Sequence, residues 1–204
     1  MTNLHEHNKI VTVSPVCLLF RYFYISQLRN PVDRYLSEWK HQFRGNHWQD
    51  ATLGCGRGVA DWMDVRPCFI GESWMGVPLD DFMACPHNMA TNRQARMLAD
   101  LNLTNCYREY TKYEMQVKRA YSWVKSAMFN LKHMEYFGIL EEQETSDRLL
   151  KETFNLELRK HQAFGKAYST PVTEEQFKRV LKLVELDIHV YMFAKTLFYR
   201  RAKH

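Results

Sequence analysis

The sequence contains no apolar run long enough to cross a membrane. Its longest apolar stretch, residues 16–20, is interrupted by Arg21 before residues 22–25, well short of the ~20 residues that a membrane-spanning helix needs. We interpret this stretch as a strand that ends near Leu28. Residues 1–15 have neither a basic start nor a small-residue cleavage site, so they predict no secretion signal, and we expect any anchor to lie outside this chain.

Internal repeats and low-complexity tracts are also absent from the 204 residues. With 46% hydrophobic, 25% charged and 14% aromatic residues, the composition is typical of a folded globular chain and excludes disorder, collagen and a simple coiled coil. A chain of this length suits one hydrophobic core. The sequence therefore predicts a single domain.

The five cysteines form no Cys-x-x-Cys pair, which argues against a zinc site or a thioredoxin-like motif. Four of them lie in one aperiodic segment that is rich in Gly, Pro and Trp: Cys55, Cys68, Cys85 and Cys106. We favour two disulfides in an oxidising compartment over free buried thiols, with Cys17 left over within a strand. The glycosylation sequon at Asn102 points weakly to the same kind of compartment.

The charge balance is basic, with a formal net charge of +5 and a sequence pI of about 8.9. This excess favours an anionic partner, although a soluble surface explains it equally well. We identify no row of Lys or Arg that alternates with aromatic residues on one helix face, so we rank a nucleic-acid partner last.

Hydrophobic periodicity predicts a helix-rich chain with few strands. Beyond the first helix, which follows Asn30, the predicted helices cover residues 79–84, 88–101, 114–133 and 142–154, and a closing helical region runs from a capping box at Thr173 to about Arg201. Residues 136–140 are predicted to form a short buried strand. Residues 45–78 show no period and are predicted to form a long irregular loop, which is usually functional or cross-linked.

The helix after Asn30 carries the clearest signal. Its apolar residues recur at helical spacing: Val32, Tyr35, Leu36, Trp39 and Phe43. Asn30 is a good N-cap residue, Pro31 takes the favoured first position, and Asp33 adds negative charge to the first turn. Strand, turn and capped helix together predict half of a βαβ unit.

The opposite face of this helix carries Arg34, Ser37 and His41, which their spacing places in one row. Arg29 precedes the helix N-terminus, where backbone N–H groups and the helix dipole favour an anion. A guanidinium binds phosphate through two parallel hydrogen bonds, and Ser37 would add a neutral donor. The arrangement is typical of a phosphate site, but an Arg that caps a turn and a solvated Ser explain the spacing equally well.

Residues 24–39 resemble the motif with which sulfotransferases hold the 3'-phosphate of the sulfate donor PAPS (3'-phosphoadenosine 5'-phosphosulfate). The motif combines Arg, Pro, Arg, Ser and an aromatic residue at this spacing. Further segments are similar to the heparan sulfate 6-O-sulfotransferase family: residues 34–39, His41, Arg44-Gly45, Trp48, Cys55-Gly56, Pro67-Cys68, 81–83, Cys85-Pro86, 92–94, 96–101, 153–156, Leu186-Asp187, Tyr191, 194–195 and 197–198. The resemblance extends roughly from Tyr22 to Tyr199.

This resemblance implies an incomplete P-loop-like sulfotransferase fold of the α/β class, helix-rich with few short parallel strands. It also implies an activity: transfer of a sulfuryl group from PAPS to the 6-hydroxyl of glucosamine residues in heparan sulfate, without a metal. The family works in the Golgi lumen as type II membrane proteins, whose N-terminal anchor is not found in this chain.

The family's site residues can be carried over position by position. Arg29 and Ser37 would hold the 3'-phosphate of the donor, while His41 and Trp48 would contact the glycan. The implied lumenal setting also supports two disulfides, which would join Cys55 to Cys68 and Cys85 to Cys106.

The chain departs from the family pattern in two places. The family places a Lys-Thr-Gly-Gly-Thr-Thr type loop and a base histidine before the strand that ends here at Arg29; neither motif is found, so the catalytic residues are unknown. The family also closes over the donor with a Ser-Thr-Arg type sequence. Here Pro171 stands where the Arg is expected, and Lys166 and Ser169 are the candidate donor contacts in this loop.

We therefore predict a non-matching segment at residues 1–15 and a single sulfotransferase domain, truncated on its N-terminal side, at residues 16–204. The strand before the phosphate loop is normally central in a doubly wound sheet, so we expect unpaired strand edges and poor stability of this chain alone. Two hypotheses follow. The chain is either a sulfotransferase or a catalytically inactive form that retains nucleotide or glycan binding.

Overall fold

A computed structural model describes residues 23–45, 73–107, 111–156 and 171–203, together with the backbone of residues 52–53 and 63–64. The elements follow in chain order: β1 (Ile25–Leu28), α1 (Pro31–Phe43), β2 (Thr52–Leu53), β3 (Met63–Asp64), α2 (Leu79–Ala84), α3 (Arg93–Leu98), a 3-10 helix (Leu101–Thr104), α4 (Tyr113–His133), β4 (Tyr136–Ile139), a second 3-10 helix (Leu140–Glu142), α5 (Gln143–Phe154), α6 (Glu174–Leu183) and α7 (Glu185–Arg201). The prediction of a helix-rich α/β chain with short parallel strands is confirmed.

The parallel sheet joins two strands that lie far apart in the sequence, β1 and β4. β1 and β4 run parallel, with Leu28 opposite Ile139. Every residue of β4 is buried, as expected for a strand covered by helices on both faces. The Ser146 hydroxyl of α5 accepts the Ile139 N–H and donates to the Ile139 carbonyl, both at 3.0 Å. At Ile139, therefore, α5 satisfies the strand edge that faces away from β1.

The predicted capping of α1 is confirmed. The Asn30 carboxamide oxygen accepts the N–H groups of Val32 and Asp33, at 3.0 and 3.3 Å. The helix then buries Tyr35, whose ring packs edge-on against Phe82 of α2 at 5.5 Å between centroids. One face of α1 is thereby anchored in the core, and the other remains available for a site.

The buried apolar side chains form two clusters. One packs α3, α4 and α7 around the parallel strands: Leu28, Ala95, Leu98, Ala127, Leu131, Phe137, Ile139, Val190, Tyr191, Ala194 and Phe198. The other packs α1 against α2 and α6: Tyr35, Leu36, Trp74, Leu79, Phe82, Met83, Cys85, Ala90, Val180 and Val184. The junction between β1 and α1 lies between these clusters, so both hold it in place.

The N-termini of α3 and α7 cap each other. The Asn92 side chain accepts the N–H groups of Leu186 and Asp187 at 2.9 and 3.4 Å, while the Asp187 carboxylate accepts the N–H of Ala95 at 2.7 Å. Each side chain satisfies amides that the first turn of a helix leaves without intrahelical partners. We call this pair of contacts the reciprocal cap.

The reciprocal cap explains an error in one predicted helix. The predicted helix at 88–101 is wrong at both ends: α3 begins only at Arg93, because Asn92 adopts a left-handed φ of 47°, and it ends at Leu98. The predicted closing helical region is confirmed, and the structure divides it into α6 and α7, with Val184 between them. Side-chain capping across helices leaves no local pattern that periodicity detects.

The predicted loop at 45–78 is also partly wrong. Within it, β2 and β3 pair antiparallel, with Leu53 opposite Met63. Two-residue strands are too short to produce the alternation that predicts a strand. The predicted helices at 79–84, 114–133 and 142–154 agree with α2, α4 and α5 to within one residue at each end.

Arg34 is largely buried and turned toward Glu38, Ala90 and Asp187, so it does not project with Ser37 and His41 as the predicted row requires. Its guanidinium donates to Glu38 at 2.6 Å and to the Ala90 carbonyl, and it approaches the Asp187 carboxylate at 3.6 Å. Burial raises the pKa of Asp187, and the positive charge of Arg34 opposes that rise. The reciprocal cap therefore depends on Arg34 for charge balance.

Replacing Arg34 with Ala is expected to lower the free energy of unfolding by about 3–5 kcal/mol, because Asp187 would then be a buried charge without its cation. Urea denaturation measures this loss. Arg179→Ala is the matched control: its ion pair with Asp80 has side chains that are 41% and 52% exposed, so about 0–1 kcal/mol is expected. Equal losses in the two variants would contradict a structural role for Arg34.

Candidate functional site

The candidate site lies where β1 ends and α1 begins. Because β1 and β4 are parallel, Arg29 and Leu140 leave the sheet at the same edge. In open α/β sheets, ligands bind outside the carboxyl ends of the strands. The residues predicted to bind phosphate thus lie at the edge where such a fold places its ligand.

A buried glutamine holds the backbone of Arg29 from both sides. The Gln94 carboxamide oxygen accepts the Arg29 N–H at 2.9 Å, and the Gln94 amide group donates to the Arg29 carbonyl at 3.0 Å. Gln94 lies in the first turn of α3, directly before Ala95, to which the reciprocal cap is attached. The position of the Arg29 backbone is thereby tied to α3 and α7.

The carboxylate of Glu141 holds the next residue. It accepts the Asn30 N–H at 2.7 Å with one oxygen and the Tyr191 hydroxyl at 3.0 Å with the other. Burial, and then the hydrogen bond to Glu141, raise the pKa of Tyr191, so the phenol stays protonated and continues to donate. Both backbone positions at the strand end are therefore fixed by side chains from elsewhere in the fold.

The side chains of Arg29 and Ser37 are half-buried. Within the described residues, neither makes a hydrogen bond or an ion pair. Arg34, in contrast, uses both terminal guanidinium nitrogens on its neighbours Glu38, Ala90 and Asp187. Arg29 thus offers a guanidinium, and Ser37 a hydroxyl, that the described part of the fold does not use.

The α1 N-terminus supplies less to an anion than predicted. Pro31 has no N–H, and the N–H groups of Val32 and Asp33 already donate to Asn30. The Arg34 N–H donates to the Asn30 carbonyl at 2.9 Å. Side chains and the helix dipole, rather than backbone amides of this first turn, must therefore bind any phosphate here.

His41 lies one turn beyond Ser37 and is exposed. Its Nδ1 lies 3.1 Å from a guanidinium nitrogen of Arg44. With Arg34 turned inward, Ser37 and His41 are the members of the predicted row that remain accessible. The predicted glycan contact Trp48 and the donor contacts Lys166 and Ser169 lie outside the described residues.

Two cysteines of the predicted disulfide framework are described. Cys85 and Cys106 are both disulfide-bonded, and Cys85 is buried beside α2. Cys55 and Cys68 lie outside the described residues, so the pairing stays a prediction. The sequon residue Asn102 is exposed in the first 3-10 helix.

Four residues that shape the site have no role predicted from the sequence: Gln94, Glu141, Asp187 and Tyr191. Gln94, Asp187 and Tyr191 belong to the segments that carry the family resemblance. That resemblance is the one signal in the sequence that could have identified them. Their contacts join residues that are far apart in the sequence, as with Gln94 and Asn30, whose partners are 65 and 111 residues away. No local pattern reveals such pairs.

The described residues contain neither a metal-binding cluster nor a membrane-spanning helix. No three His, Cys, Asp or Glu side chains come together there as a metal site requires. None of the described helices combines the length and the apolar character needed to cross a membrane.

Comparison with known proteins supplies the family. The sequence model of the sulfotransferase family matches residues 3–194. The chain is 38% identical over 187 residues to heparan-sulfate 6-O-sulfotransferase 1 of Homo sapiens, covering 90% of this chain and 45% of that protein. It is 39% identical over 183 residues to heparan-sulfate 6-O-sulfotransferase 2 of Homo sapiens, covering 88% and 30%.

A third relative is heparan-sulfate 6-O-sulfotransferase 3-B of Danio rerio, which is 40% identical over 185 residues, covering 88% of this chain and 43% of the relative. The chain thus spans less than half the length of these curated relatives. The family match covers nearly all of the chain and includes β1, α1 and the reciprocal cap. The chain belongs to the sulfotransferase family.

Proposed function

We propose that this chain acts in transferring a sulfuryl group from PAPS to the 6-hydroxyl of glucosamine residues in heparan sulfate. Support comes from its family and from three relatives whose names state that activity. The observation that carries the proposal is the placement of Arg29 and Ser37 and the availability of their hydrogen-bond donors. Arg29 lies on a backbone anchored at the sheet edge and Ser37 lies on α1, and both have donors that the described residues leave unused.

Arg29 is proposed to bind the 3'-phosphate of the donor through two parallel N–H···O bonds. Its backbone is held by Gln94, and that of Asn30 by Glu141, so less conformational freedom is lost when the guanidinium binds. Ser37 would donate to the same phosphate. Because the first-turn amides of α1 are already used, these two side chains carry the recognition.

The remaining contacts are proposed from the family resemblance. Lys166 and Ser169, which follow α5 in the sequence, would close over the donor. His41 and Trp48 would face the acceptor, because an indole ring offers an apolar surface to a sugar and His41 lies one helical turn beyond Ser37.

The reaction forms a bond between sulfur and the glucosamine O6 and breaks the bond between sulfur and the 5'-phosphate of the donor. PAPS supplies the activated sulfuryl group and a stable leaving phosphate. A neutral alcohol is a poor nucleophile, so its proton must pass to a base. We assign that base to no described residue.

We also propose the cellular setting from the resemblance. It comprises the Golgi lumen, a type II membrane anchor in the full-length family form, disulfides that involve Cys55, Cys68, Cys85 and Cys106, and glycosylation at Asn102. The exposure of Asn102 and the disulfide-bonded state of Cys85 and Cys106 support an oxidising, lumenal environment.

Arg29→Ala is expected to weaken binding of 3'-phosphoadenosine 5'-phosphate by about 10–150-fold, because a charged hydrogen bond contributes about 1.5–3 kcal/mol. Binding is measured by calorimetry beside adenosine 5'-phosphate, which lacks the 3'-phosphate. The wild type should prefer the bisphosphate, and Arg29→Ala should lose that preference. Arg200→Ala, which removes an exposed arginine of α7, is the charge-matched control and should retain it.

Combining Arg29→Ala with Ser37→Ala tests whether the two side chains grip one phosphate. Groups that contact a common partner show coupled effects, whereas independent groups add. Strictly additive losses, or a preference for the bisphosphate that survives Arg29→Ala, would contradict the proposed pocket.

Sulfate transfer is expected when the chain is incubated with labelled PAPS and 6-O-desulfated heparan sulfate, with label appearing at the 6-hydroxyl after disaccharide analysis. Arg29→Ala should reduce this transfer at limiting PAPS, since donor binding is impaired. A wild-type chain that binds the bisphosphate but transfers no sulfate would instead support the second hypothesis, a catalytically inactive form that retains nucleotide binding.

A further inference from the structure

The outer face of α4 carries a row of cations and aromatic rings. We call it the α4 basic face: Lys118, Tyr121, Lys125, Phe129 and Lys132, all of them exposed. Tyr121 and Phe129 are 61% and 63% exposed, which is unusual for rings of this size. The expectation from sequence that no row of Lys or Arg alternates with aromatic residues on one helix face is therefore wrong for α4.

Helix geometry aligns the three lysines. They recur every seven residues, so each lies about 10.5 Å from the next along the axis and only ~20° further around it. Trp123, Ala127 and Leu131 face the other way and are buried where α4 packs on α3 and α7. The lysines therefore form a straight line of charge about 21 Å long on the solvent side.

Few acidic groups oppose this charge. Glu114, at the first turn, is the only carboxylate within α4, against Lys118, Arg119, Lys125 and Lys132. None of the three lysines of the basic face has an ion-pair partner among the described residues. Lys178 of α6, by comparison, pairs with Glu174 at 2.5 Å. The α4 basic face is thus a linear cationic surface that the described fold leaves unneutralised.

The aromatic rings of this face are themselves covered on one side. The Lys125 ammonium lies 4.7 Å from the Tyr121 ring centroid, and the Phe129 ring lies 4.1 Å from that of His133. Rings that bind single-stranded nucleic acid need open faces for base stacking. Here the Tyr121 ring instead lies against one of the cations, the Lys125 ammonium. The regular spacing of the lysines suits a partner recognised by its repeating charges.

We propose that the α4 basic face is an exosite for a sulfated polysaccharide, binding a stretch of heparan sulfate away from the sugar that reacts. The charge is complementary to a polyanion, and its linear arrangement fits an extended chain with repeating sulfates and carboxylates. The identity of the polysaccharide rests on the proposed function, whereas the cationic row is independent of it.

The test compares the wild-type chain with the triple variant Lys118→Gln, Lys125→Gln, Lys132→Gln on immobilised heparan sulfate by surface plasmon resonance. The variant is expected to bind about tenfold more weakly at physiological salt, because three charge contacts are lost. The salt dependence of its affinity should also become shallower, since fewer counterions are released.

Two further variants serve as controls. The triple variant Lys151→Gln, Lys182→Gln, Lys203→Gln removes the same charge from exposed positions on separate elements and should bind like the wild type. Replacing the three α4 lysines with Arg keeps the charge and should preserve binding. If the scattered variant loses as much affinity as the α4 variant, the exosite is wrong and the attraction reflects net charge alone.

Competition identifies the occupant. Heparan sulfate should displace the wild-type chain from the immobilised polysaccharide more effectively than charge-matched RNA, DNA or anionic phospholipid vesicles. The polysaccharide assignment would be overturned if RNA, DNA or the vesicles compete more strongly than heparan sulfate for the wild-type chain and no longer do so for the α4 variant.

A parallel titration with 3'-phosphoadenosine 5'-phosphate separates the two proposals. Loss of polysaccharide affinity in the α4 variant, with nucleotide affinity retained, supports the exosite on a folded chain. If the wild type binds the polysaccharide through α4 but shows no nucleotide binding, the proposed function fails while the exosite stands. If the nucleotide binds and the α4 substitutions leave polysaccharide affinity unchanged, the exosite is wrong while the proposed nucleotide site stands.

Discussion

The reciprocal cap between α3 and α7 is the constraint on which the site depends. Asn92 satisfies the amides of α7, and Asp187 satisfies an amide of α3. This sets where α3 starts, so that Gln94, in its first turn, reaches both backbone groups of Arg29. A buried carboxylate requires a cation, which Arg34 of α1 supplies. One polar cluster therefore positions three helices and the end of the strand relative to one another.

The two arginines around the start of α1 show how burial assigns roles to identical side chains. Arg34 is enclosed by carboxylates and a carbonyl, so its charge stabilises the fold. Arg29, five residues earlier, has its backbone fixed and its guanidinium unused by the described residues. A guanidinium on a fixed backbone at the carboxyl edge of parallel strands, with no partner among the described residues, suits a phosphate ligand. The family to which the chain belongs uses a phosphorylated donor for which such a group is fitting.

The proposed donor pocket and the α4 basic face recognise negative charge in different ways. At the pocket, a few directed donors on a rigid backbone select one phosphate by geometry. Along α4, exposed lysines on flexible stems attract a polymer by repeated charge, and each contributes little. The proposed activity on a long anionic chain would benefit from both, because weak distributed contacts raise the local concentration of acceptor sites without competing with the donor for its pocket.

Much of this protein is predictable from sequence because it depends on local signals. The cap at Asn30, the capping box at Thr173 and the periodicity of α1, α4 and α5 each involve residues within a few turns of one another. The chemistry of Arg29 and Ser37 was likewise suggested by spacing. Only the tertiary structure decided that Arg34 turns inward, that Gln94 and Glu141 hold the strand end, and that α7 begins at a cap supplied by Asn92. These contacts join residues 65 to 111 positions apart or depend on burial, and neither property leaves a periodic trace in the sequence.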